Sequence, residues 1–511
     1  MMQPPLERRG APLAALATLG ALAAVAVLLT WRLAAIGMPI DDAYISFRYA
    51  QNFGAGHGLI YNLGERVEGY TCFLWVALLG LAYRLGGEIE AWSRIFGVAG
   101  FVASGWLTYA IARRVAAVGR AAALIGAAIV FFDVGFLYWS IAGMETTLFA
   151  FLVTLALWLY VADAPALLCG AVFGLAALTR PEAPAYMGGL GLGILLVRPQ
   201  QWRRVRDMAV GFVAVFTPFL LWRWSYYGYP LPNTYYNKMG GELVGRLGRG
   251  LLYTWKGQNV SWFALLALGL VPLATPQRAR LFPLYGLIAA VIAGVLYEGG
   301  DVFGFGRFYV PVLPAIAVVG AAGLHSLWPQ QAGQRSRMRV ALVGALVVFL
   351  LAGKASGNSR PPLLIKALKA TQAFYQRQAQ RAERVRELTR PGDVIATVAI
   401  GVLGYRSGLT TIDMVGLTDE TVAHTAVPGV GVGLPGHERF NSAYVLSRRP
   451  SFIFMEEPEE PSNTGQSKKA VHLVGSTAPY SPVLAVRDMW FNATFRRDYE
   501  WVGFAYKRRG E

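Results

Sequence analysis

The chain has 511 residues, of which 55% are hydrophobic and only 15% are charged. Apolar runs of roughly 17–25 residues, the length of a transmembrane helix, recur from Leu13 to about Lys354. These values indicate a polytopic α-helical membrane protein. The net charge of +17 does not indicate nucleic-acid binding, because the arginines lie in short clusters between apolar runs, as they do in cytoplasmic loops.

The arginine clusters predict how the helices cross the membrane. Clusters near residues 8, 113, 203, 278 and 335 belong on the inner side by the positive-inside rule. The predicted spans are then 13–36, 92–112, 121–139, 146–162, 166–180, 183–197, 208–226, 259–275, 282–298, 309–328 and 340–354. The apolar stretch 71–86 is short for a span, so we interpret it as a re-entrant or juxtamembrane helix on the outer face. The sequence predicts about 11 transmembrane helices, with the N-terminus in the cytoplasm.

This topology places a set of polar and ionisable residues on the outer side of the membrane. They are Asp41, Asp42, His57, Glu65, Glu68, Glu145, Arg180, Glu182, Asn233, Lys238, Asp301 and Arg307. The arginine clusters alone did not require these residues to share a side. A cavity at the outer leaflet that holds carboxylates and cations together is the simplest explanation.

Asp41 and Asp42 directly follow the first predicted span. Ionisable groups at the mouth of a membrane helix are costly to keep there, which makes them candidates for function. One of the two carboxylates is predicted to act as a general base for an acceptor hydroxyl. A helix N-cap is the alternative, and the two roles are compatible. Because adjacent carboxylates repel each other, one is expected to have a raised pKa or to be held by a cation such as Arg48.

Other polar motifs have structural alternatives. His57 lacks a second histidine at metal-ligand spacing, so hydrogen bonding is predicted in preference to metal binding. Glu145 either caps the next helix or contacts a substrate. Arg180 and Glu182 either contact a ligand or pair only with each other, beside Pro181 at a plausible first helical position.

Two cations in glycine-rich or aromatic motifs suit a phosphate. Lys238 ends the motif PNTYYNK, and Arg307 follows Asp301 in GGDVFGFGRF. Arginine binds phosphate oxygens through bidentate hydrogen bonds, and lysine binds them as a point charge. None of these motifs is specific by itself. The evidence for a common site is that all of them are predicted to lie on the outer side of the membrane.

The composition changes after Lys354. Residues 364–389 have apolar positions at helical spacing, which predicts an amphipathic helix. The segments DVIATVAIGVLGY, SFIFM and VGFAYK then predict short strands. We therefore expect a transmembrane catalytic domain over 1–354, with its first outer loop at 37–91, and a soluble periplasmic α/β domain over 355–511.

Several motifs together resemble a known family, the GT-C fold glycosyltransferases that depend on polyprenyl phosphate. Among these the chain is most similar to the terminal β-(1→2)-arabinofuranosyltransferases of mycobacterial cell-wall assembly. The motifs are DDAYISFRYAQNFGAGHGLIYN, GERVEGYT, WSIAGMETTLF, ALTRPEA, PNTYYNK, GGDVFGFGRF, GYRSGLTTIDMVGLTD and GHERFNSAYVLSRRP. They span nearly the whole chain. The chain departs from the family at Cys72, where relatives usually carry a polar residue.

The resemblance implies an acidic motif in the first outer loop, a lipid-phosphate donor that enters from the bilayer, and a soluble outer domain that binds carbohydrate. With the predicted layout, it assigns the base to Asp41 and the orientation of the acceptor or sugar to Asp42. Lys238, Arg307 and either Arg180 or Arg48 would stabilise the phosphate leaving group. The further candidates are Tyr44, His57, Glu68, Glu145, Glu182, Asn233, Tyr236 and Asp301 for the donor and His437 for the acceptor. A divalent cation is compatible with these carboxylates, although protein cations can neutralise a monophosphate without one.

The predicted function is therefore transfer of D-arabinofuranose from decaprenyl-phosphoryl arabinofuranose to a cell-envelope glycan, at the periplasmic face of a bacterial inner membrane. One alternative is a GT-C transferase that uses another polyprenyl-phosphate sugar to modify a protein or lipid. A transporter of lipid-linked sugars would place charges near the midplane and show internal repeats, which we do not find in the sequence. An envelope scaffold is the last alternative, although so many spans are excessive for an anchor.

Overall fold

The structure is a computed structural model of the chain. It describes residues 11–238, 243–257, 260–327, 361–427, 436–455 and 484–510. The chain divides into two compact units, and three stretches of sequence contribute to each. The first unit contains Met1–Gly37, Ser93–Thr217 and Gly250–Lys369, and the second contains Met38–Trp92, Pro218–Arg249 and Ala370–Glu511.

Helices form most of the described chain. Up to residue 327 they are α1 Ala11–Ala34, α2 Asp41–Gly54, α3 Phe73–Arg84, α4 Ile89–Val115, α5 Arg120–Phe131, α6 Val134–Trp139, α7 Thr146–Val161, α8 Ala166–Ala177, α9 Ala183–Val197, α10 Trp202–Tyr227, α11 Asn233–Lys238, α12 Leu243–Gly257, α13 Val260–Leu270, α14 Arg278–Glu298 and α15 Leu313–Leu327. After residue 360 they are α16 Pro361–Leu388, α17 Ile400–Ser407, α18 Glu420–His424, α19 Ser442–Ser447, α20 Leu484–Phe491 and α21 Ala493–Asp498.

Helices occupy the predicted spans up to residue 327, and the predicted span 340–354 lies outside the described residues. Within the described ranges, 5 helical stretches are long and apolar enough to cross a bilayer. They are Leu13–Ala34, Ile89–Val115, Pro199–Tyr227, Arg278–Glu298 and Val310–Leu327. Other apolar helices, such as α3 and α8, have only 12 residues each. The protein is therefore a helical membrane protein, and the count of 11 crossings stays a prediction.

Small residues let helices of the first unit approach closely. The neighbouring helices α9 and α14 meet at Gly189 and Gly286. A Cβ atom on Gly189 would lie 2.5 Å from the carbonyl oxygen of Gly286, and a Cβ atom on Gly286 would lie 2.2 Å from that of Gly189. Neither position accepts a side chain without separating the two backbones. This contact explains the glycine repeat of α9, because small residues are what allow apolar helices to pack in a bilayer.

The second unit contains a mixed sheet of five described strands. They are β1 Val394–Thr397, β2 Thr410–Asp413, β3 Phe452–Phe454, β4 Tyr499–Trp501 and β5 Tyr506–Arg508, in the order β2-β1-β3-β5-β4. The central strand β1 is parallel to β2 and β3, and β5 is antiparallel to β3 and β4. The strands β1 and β3 are buried throughout or nearly so, and α16 covers them with Ala382 and Val385.

The structure confirms the amphipathic helix and corrects one strand prediction. The predicted helix 364–389 is part of α16. The segment DVIATVAIGVLGY is not one strand, because β1 ends at Thr397 and α17 begins at Ile400. Short apolar runs do not distinguish a buried strand from a buried helix.

The first outer loop folds with the C-terminal part of the chain. Within the second unit, α2 packs against both α3 and α17. The contact-based units therefore interleave along the sequence, and a domain boundary near residue 354 stays a prediction.

Candidate active site

The carboxylate of Asp41 binds the start of a helix that lies far away in the sequence. Its Oδ1 accepts a hydrogen bond of 2.8 Å from the N–H of Val402, and its Oδ2 accepts one of 3.1 Å from the N–H of Gly401. These N–H groups belong to the first turn of α17, where backbone donors lack partners within the helix. Burial raises the pKa of Asp41 to about 6, although the bond from Val402 lowers it and the charge of Asp42 raises it again.

Asp42 has a different environment from Asp41. Its side chain is half-buried, and it has no hydrogen bond or ion pair with any residue in the described ranges. The N-cap of α2 is Ile40, and no side chain bonds to this helix start. The prediction that the aspartate pair caps its own helix is therefore wrong. One carboxylate is fixed by α17, and the other has no side-chain partner among the described residues.

Arg48 is a buried structural cation. Its guanidinium donates to the carbonyl oxygens of Tyr61 at 2.8 Å, Gly404 at 2.7 Å and Leu409 at 2.7 Å. It also donates to Asn62 and Thr411, and it lies 4.3 Å from the centre of the Tyr61 ring. All five N–H groups are thus used inside the second unit. This geometry argues against the predicted phosphate contact of Arg48 and against its predicted ion pair with an aspartate.

The other candidates in the first outer loop are Tyr44, His57 and Glu68, and each lies in a different environment. Tyr44 is fully buried, with its ring against Phe47, Tyr375 and Tyr405, so no face is left for a sugar. His57 is exposed.

Glu68 is buried, and its Oε2 lies 3.7 Å from Nε of Arg223. Burial raises the pKa of Glu68 to about 8 and outweighs the opposing charge of Arg223. Burial of Glu68 therefore favours the protonated form of its carboxyl group.

The motif PNTYYNK forms the short helix α11, which docks on the loop after β2. Asn233 donates from its amide nitrogen to the carbonyl oxygens of Gly416 at 2.9 Å and Leu417 at 3.1 Å. Asn237 donates to the carbonyl oxygen of Val415. Both asparagines are buried, so they hold this motif to the C-terminal part of the second unit.

Lys238 and Tyr236 lie on the exposed side of the same motif. Lys238 is exposed and has no hydrogen bond or ion pair among the described residues. A Cβ atom on Gly436 would lie 3.1 Å from Cε of Lys238. The half-buried His437 is the residue that follows Gly436 in the chain. The ring of Tyr236 lies 4.6 Å from that of His424. Lys238 is therefore a cation that is available to an anion.

The first unit brings five of the predicted residues together in one charge network. Glu145 accepts from Arg180 at 2.7 Å and from Arg307 at 3.0 Å, both through Oε1. Arg180 also pairs with Glu182 at 2.5 Å, and Arg307 with Asp301 at 3.4 Å. The three acidic residues and two arginines are all at least half-buried. Their predicted convergence is thus present within this unit, and Arg180 does not pair with Glu182 alone.

The two arginines favour the ionised form of the central carboxylate of this network. Burial by itself would raise the pKa of Glu145, but Arg307 and Arg180 outweigh it and hold the pKa below its ordinary value. Its Oε2 is buried and accepts no hydrogen bond from the described residues. Glu145 is the N-cap residue of α7, yet its side chain does not cap that helix. The capping interpretation of Glu145 is therefore wrong.

The sequence analysis missed Asp413, which organises the loop that α11 contacts. Asp413 is fully buried at the end of β2 and accepts hydrogen bonds from the N–H groups of Val415 at 2.9 Å and Thr418 at 2.8 Å. Burial raises the pKa of Asp413 to about 7, although these hydrogen bonds lower it. The available signal was an aspartate shortly before the turn that contains Gly416.

In the described stretches, no group of three or more His, Cys, Asp or Glu side chains is arranged to hold a metal ion. A divalent cation at these carboxylates would therefore need other ligands, such as the phosphate of a donor.

Comparison with known proteins agrees with the motifs. A family model described as a domain of unknown function (DUF8728) matches residues 368–505. The chain is 27% identical over 391 residues to the terminal beta-(1->2)-arabinofuranosyltransferase of Mycobacterium tuberculosis, which covers 68% of this chain and 58% of the relative. It is 28% identical over 257 residues to the protein of the same name from Corynebacterium glutamicum, which covers 45% of this chain and 37% of the relative. The chain therefore aligns with less than two thirds of either relative.

A solved structure identifies the fold. The crystal structure of ArnT from Cupriavidus metallidurans bound to undecaprenyl phosphate matches with a TM-score of 0.55 at 14% identity, over 82% of this chain and 89% of that chain. The chain has the GT-C fold. The predicted resemblance to GT-C proteins and to the arabinofuranosyltransferases is thus confirmed.

Proposed function

We propose that the protein is a membrane glycosyltransferase that moves D-arabinofuranose from a polyprenyl-phosphate donor to a hydroxyl group of a cell-envelope glycan. The observation that carries this proposal is the alignment with the Mycobacterium tuberculosis arabinofuranosyltransferase over 68% of the chain. The fold supports the donor class, because the matching ArnT structure holds undecaprenyl phosphate.

The reaction needs one base and one stabilised leaving group. The acceptor oxygen attacks the anomeric carbon, the bond from that carbon to the phosphate oxygen breaks, and polyprenyl phosphate leaves. We propose that Asp42 is the general base and accepts the proton of the acceptor hydroxyl. This assignment reverses the sequence-based roles of the pair, because both oxygens of Asp41 already accept hydrogen bonds from α17. Asp41 then acts as a positioning residue that fixes the start of α2.

The negative charge on the leaving phosphate requires cations. Lys238 suits this role because its ammonium group is exposed and has no partner among the described residues. Arg180 and Arg307 are the candidates from the first unit, although three carboxylates already neutralise them. We propose that the network orients the two guanidiniums, and that Asp301, which has the longest contact at 3.4 Å, yields to the phosphate.

The proposed reaction has a proposed location. The protein would lie in the bacterial inner membrane with its N-terminus in the cytoplasm and residues 355–511 in the periplasm. This orientation follows from the arginine clusters between apolar helices. The glycan acceptor would then be an envelope polymer on the periplasmic side, with His437 near its binding region.

The proposal is tested with purified protein in lipid nanodiscs. Synthetic polyprenyl-phosphoryl arabinofuranose, a matched polyprenyl-phosphoryl hexose and a nucleotide sugar are each offered with an arabinan oligosaccharide, and products are identified by mass spectrometry. We expect transfer from the arabinofuranosyl donor alone. Transfer from the hexosyl donor alone would overturn the sugar, and efficient transfer from the nucleotide sugar would overturn the donor class.

A further inference from the structure

The first unit contains an open cavity with a volume of about 250 Å³ that the proposed reaction does not use. Its walls come from the ends of α4, α7 and α9 and from the beginnings of α10 and α14. Within the described ranges, its charged lining residues are Arg114, Arg198, Arg204, Arg280 and Asp163. Because four arginines face one aspartate, the cavity carries a net positive charge.

Two of the four arginines bind the end of α7. Nε of Arg114 donates to the carbonyl oxygen of Val161 at 2.9 Å, and Nη2 of Arg204 donates to that of Tyr160 at 2.7 Å. The last carbonyl oxygens of a helix lack partners within the helix and carry a partial negative charge, which cations stabilise. Arg204 also pairs with Asp163 at 2.9 Å, just beyond the helix. These two guanidiniums therefore have structural partners and form a fixed wall of the cavity.

The other two arginines are available to a ligand. The guanidiniums of the half-buried Arg198 and the exposed Arg280 have no hydrogen bond or ion pair with the residues that the structure describes. Close packing of α9 on α14 holds their backbones, since a Cβ atom on Gly193 would lie only 2.8 Å from Cα of Pro283. Gly193 shortly precedes Arg198, and Pro283 shortly follows Arg280. The two cations thus extend from helix ends that are packed together.

The surroundings of the cavity indicate that it lies at the boundary between lipid and water. Leu192 and Leu196, on the last turns of α9, are 59% and 64% exposed, and such large apolar surfaces on a membrane protein contact lipid. Trp202, at the start of α10, is 52% exposed. The guanidiniums of Arg203 and Arg206 lie 5.6 and 5.4 Å from the centre of its ring. Exposed tryptophans and arginines at helix ends are typical of the headgroup region of a bilayer.

We propose that this cavity binds the headgroup of an anionic phospholipid, with its phosphate on Arg198 and Arg280. Arginine binds phosphate oxygens through bidentate hydrogen bonds, and basic cavities between membrane helices are suited to anionic headgroups. Inorganic phosphate shares this chemistry, but the exposed leucines beside the cavity favour an anion that carries acyl chains.

The site is separate from the proposed sugar transfer. By the proposed topology the arginine-rich helix ends face the cytoplasm, so the lipid belongs to the inner leaflet, whereas the transfer takes place at the periplasmic face. The bound lipid is therefore a ligand that joins helix ends, and it is not the sugar donor.

The test uses the full chain in an uncharged detergent and measures lipid binding by native mass spectrometry. The probes are phosphatidylglycerol, phosphatidylcholine with the same acyl chains, and inorganic phosphate. We expect phosphatidylglycerol to bind more tightly than phosphatidylcholine. The double variant Arg198→Gln with Arg280→Gln should weaken the binding of phosphatidylglycerol by about tenfold or more. Arg203→Gln with Arg278→Gln is the matched control, because both arginines are exposed on α10 and α14 and neither lines the cavity.

Thermal unfolding provides a second measurement. Phosphatidylglycerol should raise the melting temperature of the wild-type protein and of the control variant, because a ligand that binds the folded state stabilises it. The double variant should lose most of this rise. Without added lipid its melting temperature should match that of wild type, since neither guanidinium has a partner among the described residues.

Three results would overturn the proposal. Equal binding of phosphatidylglycerol and phosphatidylcholine by wild type would exclude recognition of an anionic headgroup. Equal losses of binding in the double variant and the control variant would replace the cavity with general attraction to a positive surface. Tight binding of inorganic phosphate without a preference for phosphatidylglycerol would replace the lipid with a soluble anion.

Discussion

Asp41 accepts a hydrogen bond of 2.8 Å from the backbone N–H of Val402, which lies 361 positions later in the sequence. This bond and its neighbour from Gly401 join the beginning of α2 to the beginning of α17. A Cβ atom on Gly401 would lie 1.9 Å from the carbonyl oxygen of Asp41, so only glycine allows this approach. The acidic motif of the first outer loop is therefore built together with the C-terminal sheet, and its two carboxylates lie in different environments.

Asp42→Asn should lower the rate of sugar transfer by about 10²–10⁴-fold, the usual contribution of a general base. The melting temperature should stay within error of wild type, because Asp42 has no partner among the described residues that the change would remove. Product formation in nanodiscs and thermal unfolding are measured on the same sample. If this variant kept near-native turnover, Asp42 would not be the general base. The base would then be Asp41 or a residue outside the pair.

Asp41→Asn should change how stability depends on pH. The pKa of Asp41 is about 6 in the folded protein against an ordinary value of 3.8, so the folded state binds the proton more tightly than the unfolded state. This carboxyl group therefore contributes less stability as the pH rises from about 4 to about 6. The melting temperature of wild type minus that of Asp41→Asn should be larger at pH 5 than at pH 7. An equal difference at the two pH values would contradict the raised pKa.

Arg48→Lys should destabilise the second unit without changing which donor is used. The buried guanidinium satisfies five acceptors, and a lysine has only three N–H donors. The two buried acceptors left without a donor should cost about 2–6 kcal/mol together, at about 1–3 kcal/mol each. The measurement is thermal unfolding, with Arg66→Lys as the control because Arg66 is exposed. A phosphate-binding role would instead raise the KM for the donor and leave the melting temperature unchanged.

The sequence predicted the helices well and the short strands poorly. Long apolar runs, such as the one that became α14, identify a helix by length alone. The apolar segment around Ile395 and Val402 contains a strand and then a helix, and no periodicity separates the two. The strand β2 has the polar sequence TTID and was not predicted, because its place in the sheet depends on pairing with β1.

The sequence likewise predicted one part of the candidate site and missed another. The convergence of Glu145, Arg180 and Arg307 followed from charge and topology, because a bilayer forces ionisable groups toward one another. The task of Arg48 could not be deduced, because its partners are mostly backbone carbonyl oxygens that any sequence supplies. The partners of Asp41 could not be predicted either, because they are backbone N–H groups, which every residue except proline has.

Single cysteines should establish the orientation of the first unit. Val302 is exposed in the loop after α14, and Gln200 is exposed between α9 and α10 beside several arginines. In a variant without the two buried cysteines, Cys72 and Cys169, Val302→Cys should react with an impermeant thiol reagent added to spheroplasts. Gln200→Cys should react only after lysis, because arginine-rich loops stay in the cytoplasm. The opposite labelling pattern would invert the proposed topology.

Lys238→Ala should weaken the use of every polyprenyl-phosphate donor by a similar factor. Its exposed ammonium group is proposed to contact the phosphate, which all these donors share, and a lost charge-assisted contact costs about 1.5–3 kcal/mol, or roughly 10–150-fold in kcat/KM. The ratio of kcat/KM between arabinofuranosyl and hexosyl donors should not change, since the sugar is recognised elsewhere. The melting temperature should also stay constant, because Lys238 has no hydrogen bond or ion pair in the described part of the chain. Lys238→Arg is the matched variant and should retain most of the activity because it keeps the positive charge. If Lys238→Ala instead changed the ratio of kcat/KM between the two donors, Lys238 would be assigned to recognition of the sugar and not of the phosphate.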